Sequence, residues 1–286
     1  MNQASRTNSA SPRVDLHLHT TASDGRCTPR ELVVRAVAAG LTVLAVTDHD
    51  TTAGIEEARS AAEAVGIEVV SGIEVTAVES HRDVHILGYF VEPNHADLIS
   101  FLKGQREQRI ARVEAIGDRL KQLGVPIDVQ PLVARARKDG DRSIGRPQIA
   151  REMVAAGVVA DTREAFDRWL AAGRPAFVPR AGALPADVIA ILHRAGGLAS
   201  LAHPGQTGVD DRIPRYCLAG LDAIEVYHPD HDPETTERYR ALASRLRMLA
   251  TGGSDFHGDP SHGWEPGQVI LPADAWLRLR AAASHA

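Results

Sequence analysis

The stretch Val14-Asp15-Leu16-His17-Leu18-His19-Thr20 alternates apolar and polar residues and ends in two histidines one residue apart. Side chains at i and i+2 of an extended strand share a face, so His17 and His19 present two imidazoles toward one point. Buried ring nitrogens need partners, and a shared cation supplies one to both. Taken alone, one His-x-His fits two hydrogen-bonded histidines as well as it fits metal. The same device recurs further along the chain, and that favours metal.

Residues 29–37 open on proline and are followed by Gly40, the start and stop signals of a helix. Residues 41–46 form an apolar, β-branched run suited to a strand buried on both faces, and it runs into Thr47-Asp48-His49-Asp50. A helix over 52–65 precedes a strand at 67–70, which is followed by Gly72-Ile73-Glu74-Val75, and residues 83–89 read as a strand with His85 inside. Alternation resumes later with a helix at 185–195, a strand at 197–202 ending in His203-Pro204, and a strand at 223–227 ending in His228. A helix over 234–246 then leads to a strand at 248–251 that enters Gly252-Gly253-Ser254-Asp255-Phe256-His257. This order predicts an α/β fold with a mainly parallel sheet, and about seven units suggest a closed or nearly closed barrel.

Between residues 93 and 173 strand signals give way to helix patterns at 98–123, 131–138, 146–156 and 162–171. The expected organisation is a flexible tail over 1–12, a catalytic barrel from 13–92 and 174–286, and a substrate-binding helical insertion over 93–173. The chain has 286 residues, 44% of them hydrophobic, enough for a substantial core. A net charge of −5 gives no global attraction to nucleic acid or anionic membrane. The polar N-terminal tail has no apolar signal-peptide core, and no run reaches membrane-spanning length. Cys27 and Cys217 are isolated, which excludes a disulfide framework and a thiolate zinc site. A cytoplasmic location is expected, with no membrane contact and no obligate protein partner.

Apart from His85, which lies within its strand, the candidate ligands His17, His19, Asp24, His49, Glu74, His203, Asp255 and His257 fall at or just beyond strand ends, which converge on one rim in α/β barrels. These nine side chains exceed the roughly four to six that surround one divalent ion. Two or three divalent ions are expected, manganese first, with zinc, iron or magnesium as alternatives. The nitrogen-and-oxygen ligand set does not choose among them.

His17-x-His19, Thr47-Asp48-His49, Glu74, His85, Leu201-Ala202-His203-Pro204 and Gly253-Ser254-Asp255-Phe256-His257 together resemble the ordered motifs of the polymerase-and-histidinol-phosphatase (PHP) phosphoesterases. The resemblance runs from about Val14 to Leu271. It implies a distorted (β/α)7 barrel with a trinuclear site. His17, His19, Glu74 and Asp255 would hold one ion; a bridging Glu74, with His85 and His203, a second; and Asp24, His49 and His257 a third. Within the family, Leu-Ala-His-Pro and the segment Ile144-Gly145-Arg146-Pro147-Gln148-Ile149-Ala150 are similar to a bacterial subgroup of 3′,5′-nucleoside bisphosphate phosphatases and 5′-to-3′ exoribonucleases. That subgroup often has His where Gln148 stands.

The expected activity is therefore metal-dependent hydrolysis of a nucleotide phosphate ester, foremost the 3′-phosphate of a 3′,5′-bisphosphate, or of a nucleic-acid 5′ end. Asp24, His228 and His257 are placed at the chemistry, the two histidines as alternatives for protonating the leaving oxygen. Between Lys103 and Arg151 basic residues outnumber acidic ones by twelve to six. Arg106, Arg109 and Arg112 recur every three residues on one predicted helix face. With Arg146 they form an expected clamp for a second, non-reacting phosphate; a solvated helix face is the alternative. Other readings are a histidinol-phosphate-type phosphatase, an amidohydrolase and a non-catalytic metal- and phosphate-binding module.

Overall fold

The computed structural model describes residues 11–80, 82–260 and 263–284; most of the N-terminal tail read as flexible lies outside them. Seven strands, β1 (Val14–Leu18), β2 (Val43–Val46), β3 (Glu68–Glu79), β4 (Arg82–Tyr89), β5 (Leu198–Leu201), β6 (Ala223–Tyr227) and β7 (Leu249–Gly252), follow one another around a nearly closed barrel in sequence order. Helices α1 (Pro29–Ala38) and α2 (Ile55–Glu63) link the first three. Thr28 and Glu31 form a capping box ahead of Pro29, and Gly40 follows the end of α1 at φ 74°.

The strand read at 67–70 continues through Gly72-Ile73-Glu74-Val75 as one twelve-residue strand, β3. β3 and β4 are separated only by residues 80 and 81, too short for the crossover that a parallel pair requires, so β4 runs antiparallel to both β3 and β5. This reversal positions the site. His85 lies in the first half of its strand, and antiparallel pairing with Thr76, two residues beyond Glu74, brings it to the rim where the other strands end.

Helices α3 (Ala96–Gln122), α4 (Gln130–Asp139), α5 (Arg146–Ala155) and α6 (Thr162–Ala165) follow β4, and α6 continues into a π-helical turn over Phe166–Leu170. Val113, Ile116, Leu120, Val133, Ile149 and Met153 belong to a core separate from those of the barrel. The packing boundary falls inside α3, because Leu98 and Leu102 pack with Val188 and Leu192 in a barrel core. Helix α7 (Pro185–Arg194) precedes β5. Then come α8 (Pro204–Thr207) and α9 (Ile213–Leu218), α10 (Pro233–Leu246) and α11 (Ala273–Ala283). Trp276 and Leu279 of α11 pack against Leu16, Val43 and Leu87 of the barrel.

The barrel closes between β1 and β7 through few backbone bonds: His19 N donates to Phe256 O at 2.9 Å, and Phe256 N to His17 O at 3.3 Å. Buried Asp15 reinforces them, accepting from Ser254 N at 2.9 Å, Ser254 Oγ at 2.7 Å and Gly267 N at 2.8 Å. Burial raises the Asp15 carboxyl to about 6, against the pull of these bonds. Close approach at this seam requires Gly253, where a Cβ would stand 2.4 Å from His17 N. Gly253→Ala is expected to lower the unfolding free energy by about 1–3 kcal/mol, as overpacking against backbone does. Urea denaturation checks this; an unchanged midpoint would show a looser seam.

Candidate metal centre

Each ligand side chain except Asp24, which lies on the loop after β1, sits where a strand or its extension reaches the rim. Beyond Val46 the chain stays extended long enough for His49 to bridge Glu74 in parallel, with Asp50 N donating to Glu74 O at 2.9 Å. His203 and Asp255 turn their strand ends at φ 27° and 49°, conformations that cost about 1–3 kcal/mol each and concentrate at functional sites. Glu225 of β6 steadies one of them: Oε2 accepts from His203 N at 2.7 Å while Oε1 takes His17 Nδ1 at 2.9 Å. One buried carboxylate thus orients residues of two other strands and leaves His17 Nε2 facing the centre.

The facing atoms form three overlapping groups. His17 Nε2 lies 3.3 Å from both Glu74 Oε2 and Asp255 Oδ1, and His19 Nε2 lies 3.2 and 3.3 Å from the same two oxygens. Glu74 Oε1 meets His85 Nδ1 at 2.7 Å and His203 Nε2 at 3.0 Å. Asp24 meets His257 Nε2 at 3.3 Å and His49 Nε2 at 3.6 Å. The structure adds two features to the expected grouping: His49 Nδ1 is also 3.1 Å from Glu74 Oε2, so its ring stands between the second and third groups, and His19 Nδ1, 3.7 Å from Asp24 Oδ1, joins the third.

These atoms are arranged to share cations. Ligands about 2.1 Å from one ion stand about 3.0–3.4 Å apart, the spacing found in the first group. Both nitrogens of buried His19, Nδ1 of His49 and Nδ1 of His203 have no hydrogen-bond partner despite neighbouring carboxylates. Unpartnered ring nitrogens of His19 and His49 facing carboxylates in a buried pocket fit metal ligation better than paired hydrogen bonding.

Electrostatics agree. Burial opposes ionisation of Asp24, Glu74 and Asp255, yet the surrounding histidines hold all three well below the usual carboxylate range. Burial alone would depress His19, but Asp255 and Glu74 outweigh it and raise the ring to about 10. His49, where burial wins over Glu74 and Asp24, falls to about 3. The carboxylates stay ionised by drawing protons onto His19 and its neighbours, positive charge that bound cations would replace once those rings ligate.

The residues placed at the chemistry separate. His257 Nδ1 donates to Asp255 O at 2.9 Å and leaves Nε2 facing Asp24 at 3.3 Å, the nitrogen that would serve as a ligand. His228 Nδ1 accepts from Asp230 N at 3.1 Å, so Nε2 carries the proton and faces Asp255 Oδ2 at 3.4 Å. Buried at 4% exposure, His228 is positioned to orient Asp255, and its proton is committed to that carboxylate. His231 is spent on Val226 O and Gly205 N. Asp48 accepts from Thr20 and Ser23 and holds the Asp24 loop.

A cavity of about 340 Å³ extends from Asp24, His49 and His257 to Arg109, Arg112 and Arg146. The arginines are not a solvated face: Arg106 is 7% and Arg109 8% exposed. Arg106, expected in the clamp, is outside this cavity lining, because Asp50 O, Gly140 O and Asp141 draw its guanidinium away. Arg109 reaches the cavity with two donor nitrogens already bonded to Asp50 Oδ2 and Thr76 Oγ1. Arg112 and Arg146 share Asp83 Oδ2, each at 3.3 Å, and Arg112 Nη2 is buried without a partner. Arg146 lies near the rings of Phe166 and Phe177. Arg180, 3.5 Å from Asp50, lines the same cavity. No period or motif marks Arg180 in the sequence.

A distorted α/β barrel whose rim gathers His and Asp/Glu clusters able to hold metal ions defines the class of the molecule. A family model described as PHP domain matches residues 15–145. The chain is 36% identical over 250 residues to a 5′-3′ exoribonuclease of Haemophilus influenzae, covering 86% of this chain and 90% of that one. It is 34% identical over 261 residues to a 3′,5′-nucleoside bisphosphate phosphatase of Chromobacterium violaceum, covering 90% and 91%. Among solved structures, a candidate metal-dependent phosphoesterase from Bifidobacterium adolescentis superposes with a TM-score of 0.86 at 35% identity, over 94% of this chain and 96% of that one. A Chromobacterium violaceum protein described as an amidohydrolase with bound sulfate and no metal gives 0.83 at 33% identity, over the same shares. The chain belongs to the PHP family.

Proposed function

We infer that this protein is a metal-dependent phosphoesterase that removes the 3′-phosphate of a 3′,5′-nucleoside bisphosphate, with the barrel carrying the chemistry and the helical segment over 93–173 carrying substrate contacts. One observation carries the reading: the cavity joins the ligand cluster to Arg112, whose buried Nη2 has no partner. Guanidinium groups that line a roomy cavity beside a ligand cluster suit an anionic ligand. A substrate with one phosphate at the centre and another at the arginines satisfies both ends.

His17, His19, Glu74 and Asp255 would hold one cation, Glu74 with His85 and His203 a second, and Asp24, His49 and His257 a third. Bound divalent ions supply Lewis acidity, acidifying water and polarising phosphoryl oxygens. The chain's own residues orient the rest. Glu225 and His228 steer His17 and Asp255, and Arg112, Arg146 and Arg180 receive the remote phosphate. Manganese is proposed as the native ion, and the reaction is placed in the cytoplasm. Among the described residues no helix is long and apolar enough to cross a membrane.

The exoribonuclease reading stands second, favoured by the identity to the Haemophilus influenzae enzyme. Both readings are tested by phosphate or nucleotide release from a mononucleotide bisphosphate and a 5′-phosphorylated oligonucleotide, with manganese and after chelation. The bisphosphate should turn over faster, and chelation should stop both reactions. Preference for the oligonucleotide, with activity falling steeply as salt rises, would move the assignment to exonuclease. No turnover of any phosphoester at full metal loading would leave a binding module.

A further inference from the structure

The loop after β1 carries Asp24 and is held from two sides. On the barrel side, Thr20 N, Thr20 Oγ1 and Ser23 Oγ donate to Asp48. On the other side its carbonyls are taken in sequence by the helical segment. Thr21 O accepts from Arg142 Nη1 at 2.8 Å, Ala22 O from Ser143 N at 3.0 Å, Ser23 O from Gln148 Nε2 at 2.8 Å, and Asp24 O from Arg151 Nη1 at 2.8 Å. Four consecutive loop carbonyls thus depend on donors that come from one segment.

The loop has little freedom to settle elsewhere. At Gly25 a Cβ would stand 2.6 Å from both C and O of His19, so the loop already rests on the β1 backbone. The helical segment reaches the other side of the same ligand group as well. Arg106 donates to Asp50 O at 3.2 Å and Arg109 to Asp50 Oδ2 at 2.5 Å, directly after His49. By contrast, the backbone at His17, His19 and Phe256 is bonded within the barrel seam. Arg151 faces both the ligand-lined cavity and a second cavity of about 400 Å³ across the loop.

We propose that Gln148 and Arg151 are positioning residues for Asp24, through which the helical segment sets the cation affinity of the Asp24, His49 and His257 position. This rests on the trinuclear reading of the centre. Ligand-orienting partners are worth about 10–100-fold in metal affinity, and one lost hydrogen bond gives an effect near the lower end of that range.

The test is a manganese titration of chelator-stripped full-length protein, read as bound ions per chain and competition with a chelator. Wild type should bind three ions. Gln148→Ala and Arg151→Met should each weaken one position by about tenfold and leave the other two unchanged, and Asp24→Asn should abolish that same position. Arg137→Ala, whose side chain pairs with Glu114 away from the loop, should leave all three intact. Wild-type affinity at all three positions in both Gln148→Ala and Arg151→Met overturns the proposal. So does equal weakening of all three, because the segment would then brace the whole rim. An unmutated protein that binds only two ions overturns the trinuclear reading itself, a result visible before any variant is made. Phosphate release plays no part in the readout, so failure of the proposed activity is scored separately.

Discussion

Glu74→Ala is expected to abolish phosphoester hydrolysis and to remove more than one bound ion. Glu74 is 1% exposed, and its two oxygens approach five histidines: His17, His19 and His49 through Oε2, His85 and His203 through Oε1. Both oxygens are thereby engaged, one in each of two ligand groups. Metal stabilisation of transition-state charge is worth several kcal/mol, so the loss in kcat/KM should be about 10³-fold or more. Elemental analysis alongside kinetics checks it. A variant with wild-type activity and metal content would sink the assignment of Glu74 as a bridging ligand. Glu74→Gln distinguishes charge from shape, since it keeps the volume and removes the negative charge.

Removing the Arg112 guanidinium should raise KM for a 3′,5′-bisphosphate by about tenfold to a hundredfold, while an aryl phosphate without a second phosphate is nearly unaffected. Arg112→Met retains the apolar stem and deletes the unpartnered Nη2. Charge-assisted bonds are worth about 1.5–3 kcal/mol, which sets that range. Arg146→Met should act in the same direction. Its guanidinium, lowered to about 10 by burial and by neighbouring Arg112, still carries its charge at neutral pH. Arg106→Met should not discriminate between the two substrates, because its nitrogens are bonded to Asp50 O, Gly140 O and Asp141. Equal losses on both substrates for Arg112→Met would point to damage to the centre instead of the remote subsite.

Much of the barrel was legible because its signals are local. Apolar runs ending in His or Asp mark strands that deliver ligands to a rim, and the i, i+2 spacing of His17 and His19 puts both rings on one face whatever surrounds them. The reversal of β4 was not legible, because strand signals fade between residues 75 and 83, and only the extension of β3 to Glu79 shortens the connection to two residues. The helical pattern at 162–171 hid the change to π-helical geometry after Ala165, because periodicity does not register one extra residue per turn.

By itself, then, the sequence determined the order of the strands, the chemical type of the ligands and their convergence, since each follows from side-chain alternation along an extended backbone. It also placed arginines every three residues along α3. Only the tertiary structure decided which of them reach the cavity, because a long guanidinium ends wherever a carboxylate or carbonyl from another part of the chain receives it. Asp50, turned at φ 51°, holds Arg109 at the edge of the cavity, while its carbonyl helps draw Arg106 away. Asp83 gathers Arg112 with Arg146, and Arg180 arrives from beyond the helical segment. The ring orientations of His228 and His257 were likewise decided by Asp230 N and Asp255 O, backbone groups whose directions exist only once the chain has folded.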